Sequence, residues 1–260
     1  MVTLHFLQRG TASRALVLIH AFPLSSAMYD KAAAIIAKEF PELPIVLVDM
    51  PGFGSAAVTK QWTLSEAMAD LHRQLKKAGI TSVIIGGTSM GGYAVFAYVK
   101  QFRPEVAGLI LSNTKAEADD EKAKRDREEY AKAVEEKGMA EVVKRQLDKL
   151  IGATARSESP EIVEHVKQSI LSGKPAAIAG ALRAMAKRED STWLLGGITA
   201  PALLIGGKED ALMSEKVIQS MAKGLKNSEH YSIEAVGHLS PVEAPEEWAS
   251  LVIGFIEKNT

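Results

Sequence analysis

The chain has 260 residues, 47% apolar and 24% charged, so it can bury a substantial core and is not a disordered polymer. Its 31 basic and 32 acidic residues leave no charge excess for binding nucleic acid or an anionic membrane, and we expect neither as a partner. The absence of cysteine excludes disulfides, thiolate metal sites and a cysteine nucleophile. Residues 1–10 lack a basic stretch followed by the apolar core of a signal peptide, and no apolar run approaches the ~18 residues that span a bilayer. We therefore expect a cytoplasmic protein.

Short runs rich in apolar and β-branched residues predict seven strands, at residues 3–7, 15–19, 45–48, 82–85, 108–111, 202–205 and 231–234. All but the first and the last are continuous apolar runs, which is typical of parallel strands that are covered on both faces. Helical patterns alternate with them, at residues 27–39, 65–78, 90–101, 214–223 and 245–256. This alternation predicts an α/β fold with a mostly parallel sheet flanked by helices.

The alternation is interrupted once, where residues 114–190 show helical patterns without an intervening strand. The first helix, residues 116–137, is mostly charged and is expected to face solvent, whereas the later ones carry apolar residues at helical spacing. We therefore predict a core of residues 1–113 and 191–260, with an inserted helical lid of residues 114–190. Breakers divide the lid into about four helices, at Gly138, Gly152, Ser159-Pro160 and Lys174-Pro175.

The pentapeptide Gly87-Thr88-Ser89-Met90-Gly91 lies between a predicted strand and a predicted helix. This is the context of a nucleophile elbow, in which a strained turn exposes a serine hydroxyl. Gly87 and Gly91 remove side chains where the two backbones approach each other. We predict that Ser89 is a catalytic nucleophile. The alternative is a glycine-rich turn whose serine only caps the helix.

A serine nucleophile needs a base within hydrogen-bonding distance and a third group that orients the base. His238 follows the last predicted strand, in a loop before the final helix, where a base is expected. His20 is expected instead to be buried and hydrogen-bonded within its own loop. Asp210 follows the preceding strand, which completes the chain order Ser, Asp, His. Three other carboxylates remain open as alternative acids: Glu209, Asp119 and Asp120.

An acyl-transfer site also needs N–H donors aimed at the developing oxyanion. One is expected from Met90, immediately after the nucleophile, and the other from Phe22, in the loop after the second strand. Pro23 restricts that loop, and Phe22 and Leu24 offer an apolar wall. These two N–H groups form the predicted oxyanion hole.

Residues 52–57 read Gly-Phe-Gly-Ser-Ala-Ala and match a dinucleotide-binding pattern. No helix follows the glycines directly, so no helix N-terminus is available for a pyrophosphate, and a structural turn is the better interpretation. The sequence also has no metal-ligand spacing and no Walker-type loop. We expect no metal and no cofactor.

Five blocks of the chain, at residues 20–24, 49–55, 87–92, 207–210 and 237–238, together resemble the α/β-hydrolase superfamily. The resemblance is to the branch that holds small esterases, enol-lactonases and cofactor-free haloperoxidases. It covers about residues 3–257 and is weakest over 114–190. It implies an α/β-hydrolase fold, with a sheet of eight strands or slightly fewer, and a Ser-His-Asp triad. Ala21 departs from the pattern, in which glycine is usual, and this change bears on the size of the acyl pocket.

The expected activity is hydrolysis of a small carboxylic ester, lactone or related acyl compound through an acyl-enzyme. Two alternatives use the same fold: a hydrolase of carbon–carbon bonds in diketones, and a slow-turnover ligand sensor. The partner is a small acyl molecule, and a monomer and a homodimer are equally open. Ligands bind beyond the carboxyl ends of parallel strands, so the lid should overhang Ser89. The predicted pocket residues are Leu24, Leu147, Leu150, Ile170, Leu182 and Met185.

Overall fold

A single seven-stranded sheet forms the centre of the computed structural model, which describes residues 1–259. Each strand overlaps one of the seven predicted strands, with ends that differ by a few residues. The strands are β1 (Thr3–Gln8), β2 (Arg14–Ile19), β3 (Ile45–Asp49), β4 (Ser82–Thr88), β5 (Val106–Ser112), β6 (Ala202–Gly207) and β7 (Ser228–Ile233).

The strands lie in the order β1-β3-β2-β4-β5-β6-β7. Only β1 is antiparallel to its neighbour, and every other pair of strands is parallel. The five strands from β2 to β6 each contain at most one residue that is not buried. Burial on both faces explains why these strands are continuous apolar runs in the sequence. The predicted α/β fold with a mostly parallel sheet is confirmed.

Helices flank this sheet in packed pairs. The helix α1 (Asp30–Glu39) packs against α12 (Pro245–Asn259), and α2 (Leu64–Lys77) packs against α3 (Met90–Phe102). Thr63 and Glu66 form the capping box at the start of α2, because each side chain accepts the other residue's N–H. The helices outside residues 114–190 are α1 (Asp30–Glu39), α2 (Leu64–Lys77), α3 (Met90–Phe102), α9 (Thr192–Leu195), α10 (Glu215–Gly224), α11 (Ser240–Glu243) and α12 (Pro245–Asn259).

Residues 114–190, called the insertion from here on, leave the sheet after β5 and return before β6. They form five helices where about four are predicted, because each predicted breaker ends one helix or begins the next. Pro160 and Pro175 occupy first helical positions, where the missing N–H has no intrahelical partner to lose. The helices are α4 (Glu121–Lys137), α5 (Met139–Leu150), α6 (Ala153–Glu158), α7 (Pro160–Leu171) and α8 (Pro175–Ala186).

The charged helix α4 does not simply face solvent, and here the structure corrects the sequence-based expectation. It packs along α8 and buries Tyr130, Ala131 and Val134. These three residues are spaced by one and three positions, so they form an apolar stripe that is hidden among the charges. Among residues 1–259, no helix is both long and apolar enough to cross a membrane.

Candidate active site

Ser89 lies in the turn between β4 and α3, with φ of 54° and ψ of −112°. This left-handed conformation is strained for a residue with a side chain, and such strain is found at functional sites. The last residue of β5 and a residue just after this strand hold the turn. The Ser89 N–H donates to the Ser112 carbonyl at 2.9 Å, and the Ser89 carbonyl accepts the Thr114 hydroxyl at 2.8 Å. The Ser89 side chain does not cap α3, which disfavours the capping alternative.

The glycines of the elbow are required by close backbone contacts. A Cβ on Gly87 would clash with the Gly91 backbone, and a Cβ on Gly91 would clash with the Ile19 carbonyl. Gly92 lies equally close to the Thr114 side chain. The absence of these three side chains lets α3 begin directly behind β4, with Ser89 at the tip of the turn.

Asp210 is a buried carboxylate in the loop after β6, and its two oxygens accept four hydrogen bonds. Its Oδ1 accepts the N–H groups of Leu212 and Met213, at 2.8 and 2.9 Å. Its Oδ2 accepts from Asn113 Nδ2 at 2.9 Å and from His238 Nδ1 at 2.8 Å. Burial opposes ionisation, but the charge of His238 and these donors hold the pKa of Asp210 below its usual value. The aspartate therefore stays ionised beside the imidazole.

His238 is 1% exposed and has a different environment at each ring nitrogen. Because Nδ1 donates to Asp210, the lone pair of the neutral ring is on Nε2. Among residues 1–259, Nε2 has no hydrogen-bond partner. His238 and Ser89 line the same cavity, so the unpaired nitrogen belongs to a residue of the cavity wall that Ser89 shares. The arrangement is suited to accepting a proton.

The three alternative acids all have other partners. Glu209 accepts the N–H and the hydroxyl of Thr154, at 2.8 and 2.6 Å. Asp119 forms ion pairs with two arginines, Arg127 and Arg188. Asp120 caps α4 by accepting the Ala123 N–H at 2.7 Å. Asp210 is thus the carboxylate that the structure brings to His238.

Phe22 and Met90 supply the two backbone N–H groups of the predicted oxyanion hole. Met90 is the first residue of α3, so its N–H has no partner within the helix. Phe22 lies in the loop after β2 and lines the same cavity as Ser89. Neither N–H donates to another group of the described chain. Both donors are therefore available to a ligand.

His20 has the buried, structural environment that is expected for it. Its Nε2 accepts the Met50 N–H at 3.0 Å, and its Nδ1 donates to the Ala21 carbonyl at 3.0 Å. Burial lowers the pKa of His20 to about 4, although the Ala21 carbonyl and the charge of Asp49 favour protonation. The ring is therefore neutral near pH 7 and braces the loop that carries Phe22.

The glycine-rich residues 52–57 form a turn around a carboxylate of the protein itself. Asp49 accepts the N–H groups of Ser26 and Ser55, each at 2.9 Å. Burial opposes ionisation of Asp49, but these donors and His5 hold its pKa below the usual value. A Cβ on Gly54 would clash with this carboxylate. The turn is structural, which agrees with the preferred interpretation of the sequence.

A cavity of about 440 Å³ opens above Ser89 and His238, between the sheet and the insertion. Its floor comes from the core and its walls come mainly from α4, α5 and α8. The other lining residues are Phe22, Tyr93, Asp126, Arg127, Tyr130, Arg145, Gln146, Lys149, Leu150, Leu182, Met185, Leu212 and Met213. Among residues 1–259, no group of three or more histidines or acidic residues is arranged to hold a metal ion.

Only half of the predicted pocket residues line this cavity. Leu150, Leu182 and Met185 do so, whereas Leu24, Leu147 and Ile170 do not. Leu24 and Ile170 are buried in the core cluster, and Ile170 lies on α7, which packs against α5. Leu147 packs against the same cluster because α5 turns a different face to the cavity. The polar lining residues of α4 and α5 were missed by sequence reasoning. The sequence carries no signal for them, because helical spacing from Leu150 also selects Leu147, which does not line the cavity.

Comparison with known proteins places the chain in a family. A model of the alpha/beta hydrolase fold matches residues 14–245. The chain belongs to the alpha/beta hydrolase fold family. The confirmed seven-stranded sheet and the glycine-rich elbow at Ser89 agree with this assignment.

Individual family members are similar over almost the whole chain. A thermophilic esterase from Thermogutta terrifontis, solved with malate bound, has 30% identity and a TM-score of 0.93, and the match covers 100% of this chain and 94% of that one. A pimeloyl-[acyl-carrier protein] methyl ester esterase of Neisseria meningitidis is 24% identical, over 95% of this chain and 94% of the relative. A 3-oxoadipate enol-lactonase of Acinetobacter baylyi is also 24% identical, over 94% and 90%.

Proposed function

We propose that this alpha/beta hydrolase is a serine hydrolase that cleaves small carboxylic esters, lactones or related acyl compounds. The observation that carries the proposal is the environment of His238, which lines the same cavity as Ser89. Its Nδ1 is bound to Asp210, and its Nε2 is buried and has no hydrogen-bond partner in the described chain. A serine exposed at a tight turn, beside a base that is oriented in this way, is the arrangement that activates a hydroxyl for acyl transfer. The esterases and the enol-lactonase among its relatives support the same reaction class.

In the proposed reaction, Ser89 Oγ attacks the ester carbonyl and His238 Nε2 takes the hydroxyl proton. The charge of Asp210 stabilises the imidazolium, and the N–H groups of Phe22 and Met90 stabilise the oxyanion. Collapse of the tetrahedral intermediate breaks the bond to the alcohol, which leaves with the proton from His238. Water then enters, loses a proton to His238 and releases the acid from Ser89 by the reverse sequence of steps.

The insertion acts in this proposal as a lid that covers the carboxyl ends of the strands. Leu182 and Met185 on α8 and Leu150 on α5 provide apolar contacts for the acyl or alcohol group. Enclosure of the site excludes water and strengthens the electrostatic contacts with the oxyanion. The chain length of the preferred substrate should therefore depend on the residues of α5 and α8.

Steady-state hydrolysis of p-nitrophenyl acetate and butyrate tests the proposed function. We expect many turnovers per enzyme, and we expect Ser89→Ala to lower kcat by ~10⁴-fold or more. Ser65→Ala, an exposed serine at the start of α2, is the matched control and keeps the wild-type rate. A single turnover followed by arrest would indicate a ligand sensor instead. Cleavage of a diketone faster than of both esters would indicate a carbon–carbon hydrolase.

A further inference from the structure

Cations dominate the insertion side of the cavity. Arg127, Arg145 and Lys149 line it, and Asp126 is the only acidic residue among the described residues that line the cavity. A concave wall with an excess of one charge concentrates ligands of the opposite charge. We propose that the cavity selects acyl substrates that carry a carboxylate at the end remote from the ester, and that Lys149 and Arg145 bind this carboxylate. The inference rests on the proposed hydrolase function.

The lining charges differ in how far the protein itself neutralises them. Arg127 is paired with the buried Asp119, and Asp126 is paired with Lys122 on the solvent side of α4. Lys149, by contrast, forms no ion pair with any group of residues 1–259. An ammonium group beside the cavity without a carboxylate of its own can bind one that a ligand brings.

Arg145 is only partly used by the protein. Its Nε donates to Glu141 at 2.6 Å, and its guanidinium lies over the Tyr130 ring, 4.8 Å from the centroid. This contact with Tyr130, which also lines the cavity, holds the guanidinium at the cavity wall. The two terminal nitrogens form no hydrogen bond within the described chain. A planar donor that is held in this way is suited to a carboxylate.

The helix α5 sets the distance between these cations and the reacting atoms. At its C-terminal end, the Leu150 carbonyl accepts the His238 N–H at 3.1 Å, so this end of α5 is fixed beside the base. Arg145 and Lys149 are four residues apart and share one face of the helix. Arg145 lies five residues before Leu150, or about 7.5 Å farther along the helix axis. The cations therefore face the part of a ligand that lies away from Ser89, which favours a short dicarboxylate monoester.

Matched methyl esters test the proposal with a pH-stat assay. Monomethyl succinate, glutarate and adipate are compared with methyl butyrate, pentanoate and hexanoate, which have the same acyl chain lengths without the charge. We expect a higher kcat/KM, through a lower KM, for at least one charged ester than for its neutral counterpart. Because salt screens partly exposed charges, this preference should shrink as ionic strength rises.

Three variants assign the preference to the two cations. Lys149→Gln and Arg145→Gln should each lower the ratio of charged to neutral kcat/KM by about threefold to fivefold, as expected for partly exposed ion pairs. The double variant should lower it by about tenfold or more. Lys144→Gln, on the same helix but outside the cavity lining, is the control and should keep the wild-type ratio. Neutral esters that are cleaved as well as charged ones, with no change of ratio in either variant, would overturn this proposal and leave the hydrolase function intact.

Calorimetry separates binding from catalysis. Adipate should bind the Ser89→Ala protein more tightly than hexanoate does, and Lys149→Gln in that background should weaken adipate binding by about threefold to fivefold. Equal binding of adipate and hexanoate contradicts the anionic pocket. Tight adipate binding together with absence of hydrolysis for every ester would instead contradict the hydrolase function.

Discussion

Glu243 and Gly152 connect the C-terminal part of the chain to the insertion, because Glu243 Oε2 accepts the Gly152 N–H at 2.7 Å. The same carboxylate accepts the N–H groups of Gly237 and Leu239, each at 3.0 Å. These two residues flank His238 in the chain. One carboxylate therefore holds both the loop of the proposed base and the junction between α5 and α6.

Removal of this carboxylate should loosen the histidine loop. Glu243→Ala leaves three N–H groups without their acceptor, and we expect a loss of about 2–4 kcal/mol in unfolding free energy. We also expect kcat for p-nitrophenyl esters to fall by about tenfold, because His238 is less well positioned. Glu243→Gln keeps one acceptor oxygen and should retain more of both. Urea denaturation and steady-state kinetics measure the two effects, and an unchanged kcat in the alanine variant would show that the loop holds itself in place.

The proposed orienting acid can be separated from its neighbour in the chain. Asp210→Asn should lower kcat by ~10³–10⁴-fold, because the amide favours the wrong tautomer of His238. Glu209→Gln is the matched control, since Glu209 bonds to Thr154 and not to the histidine, and we expect at most a severalfold effect. Ester kinetics at neutral pH decide between them. A larger loss in the Glu209 variant would reassign the acid.

Asp119 should matter for stability far more than for the reaction. Its side chain is 3% exposed and pairs with Arg188, which is 5% exposed, as well as with Arg127. Asp119→Asn leaves two arginines without their shared counter-charge, one of them almost fully buried. We expect a loss of about 3–5 kcal/mol in unfolding free energy. Chemical denaturation tests this, and a loss below about 1 kcal/mol would contradict it.

His20 should make stability depend on pH between about pH 6.5 and pH 4. Its pKa is lowered by burial to about 4, whereas an unfolded histidine titrates near 6.5. Because the folded pKa is the lower one, the stabilisation is complete above about pH 6.5 and is lost as the pH falls toward 4. The loss amounts to about 3 kcal/mol.

Denaturation at steps from about pH 7 to pH 4.5 measures this slope. His20→Gln should flatten it, although the variant is less stable overall. His230→Gln, which removes an exposed histidine of β7, is the control and should keep the wild-type slope. Parallel slopes in the wild type and the His20 variant would show that other groups carry the acid sensitivity.

Substrate size should respond to α8 and not to α7. Leu182→Ala and Met185→Ala enlarge the cavity above Ser89, so we expect the preferred ester to shift toward longer acyl chains. Ile170→Ala removes a fully buried side chain outside the cavity lining and should cost about 2–5 kcal/mol of stability without such a shift. Kinetics on acetate through octanoate esters compare the three. A proportional loss on all chain lengths in the α8 variants would limit that helix to a structural role.

Local patterns in the sequence are sufficient to predict the sheet and the elbow. The buried strands are uninterrupted apolar runs, and the turn at Ser89 is marked by glycines that direct backbone contacts require. The breakers of the insertion are equally local, because Gly138 adopts a φ of 74° and two prolines begin helices. Features of this kind are visible in a few neighbouring residues of the sequence, even where the contact that requires them comes from a distant residue, as Ile19 does for Gly91.

Other features depend on packing between distant parts of the chain. The helix α4 has a buried face because α8, more than 30 residues later, packs along it. Glu243 gives no local signal, since Gly152 is 91 residues away. Lys149 lines the cavity and Leu147 does not, because of the way α5 is oriented. The end of α5 is held beside the site by the hydrogen bond from the His238 N–H to the Leu150 carbonyl. Helical periodicity predicts which residues share a face but not which face points to the site.

The central claim is that Ser89 is the nucleophile of an acyl-enzyme. Mass spectrometry after treatment with a serine-directed phosphonate tests it most directly, because the reagent bonds only to an activated hydroxyl. We predict one adduct per chain, on the peptide that contains Ser89, and no adduct in Ser89→Ala. Labelling should also be much slower in His238→Gln. An adduct on another peptide, or equal labelling of the Ser89→Ala protein, would contradict the account.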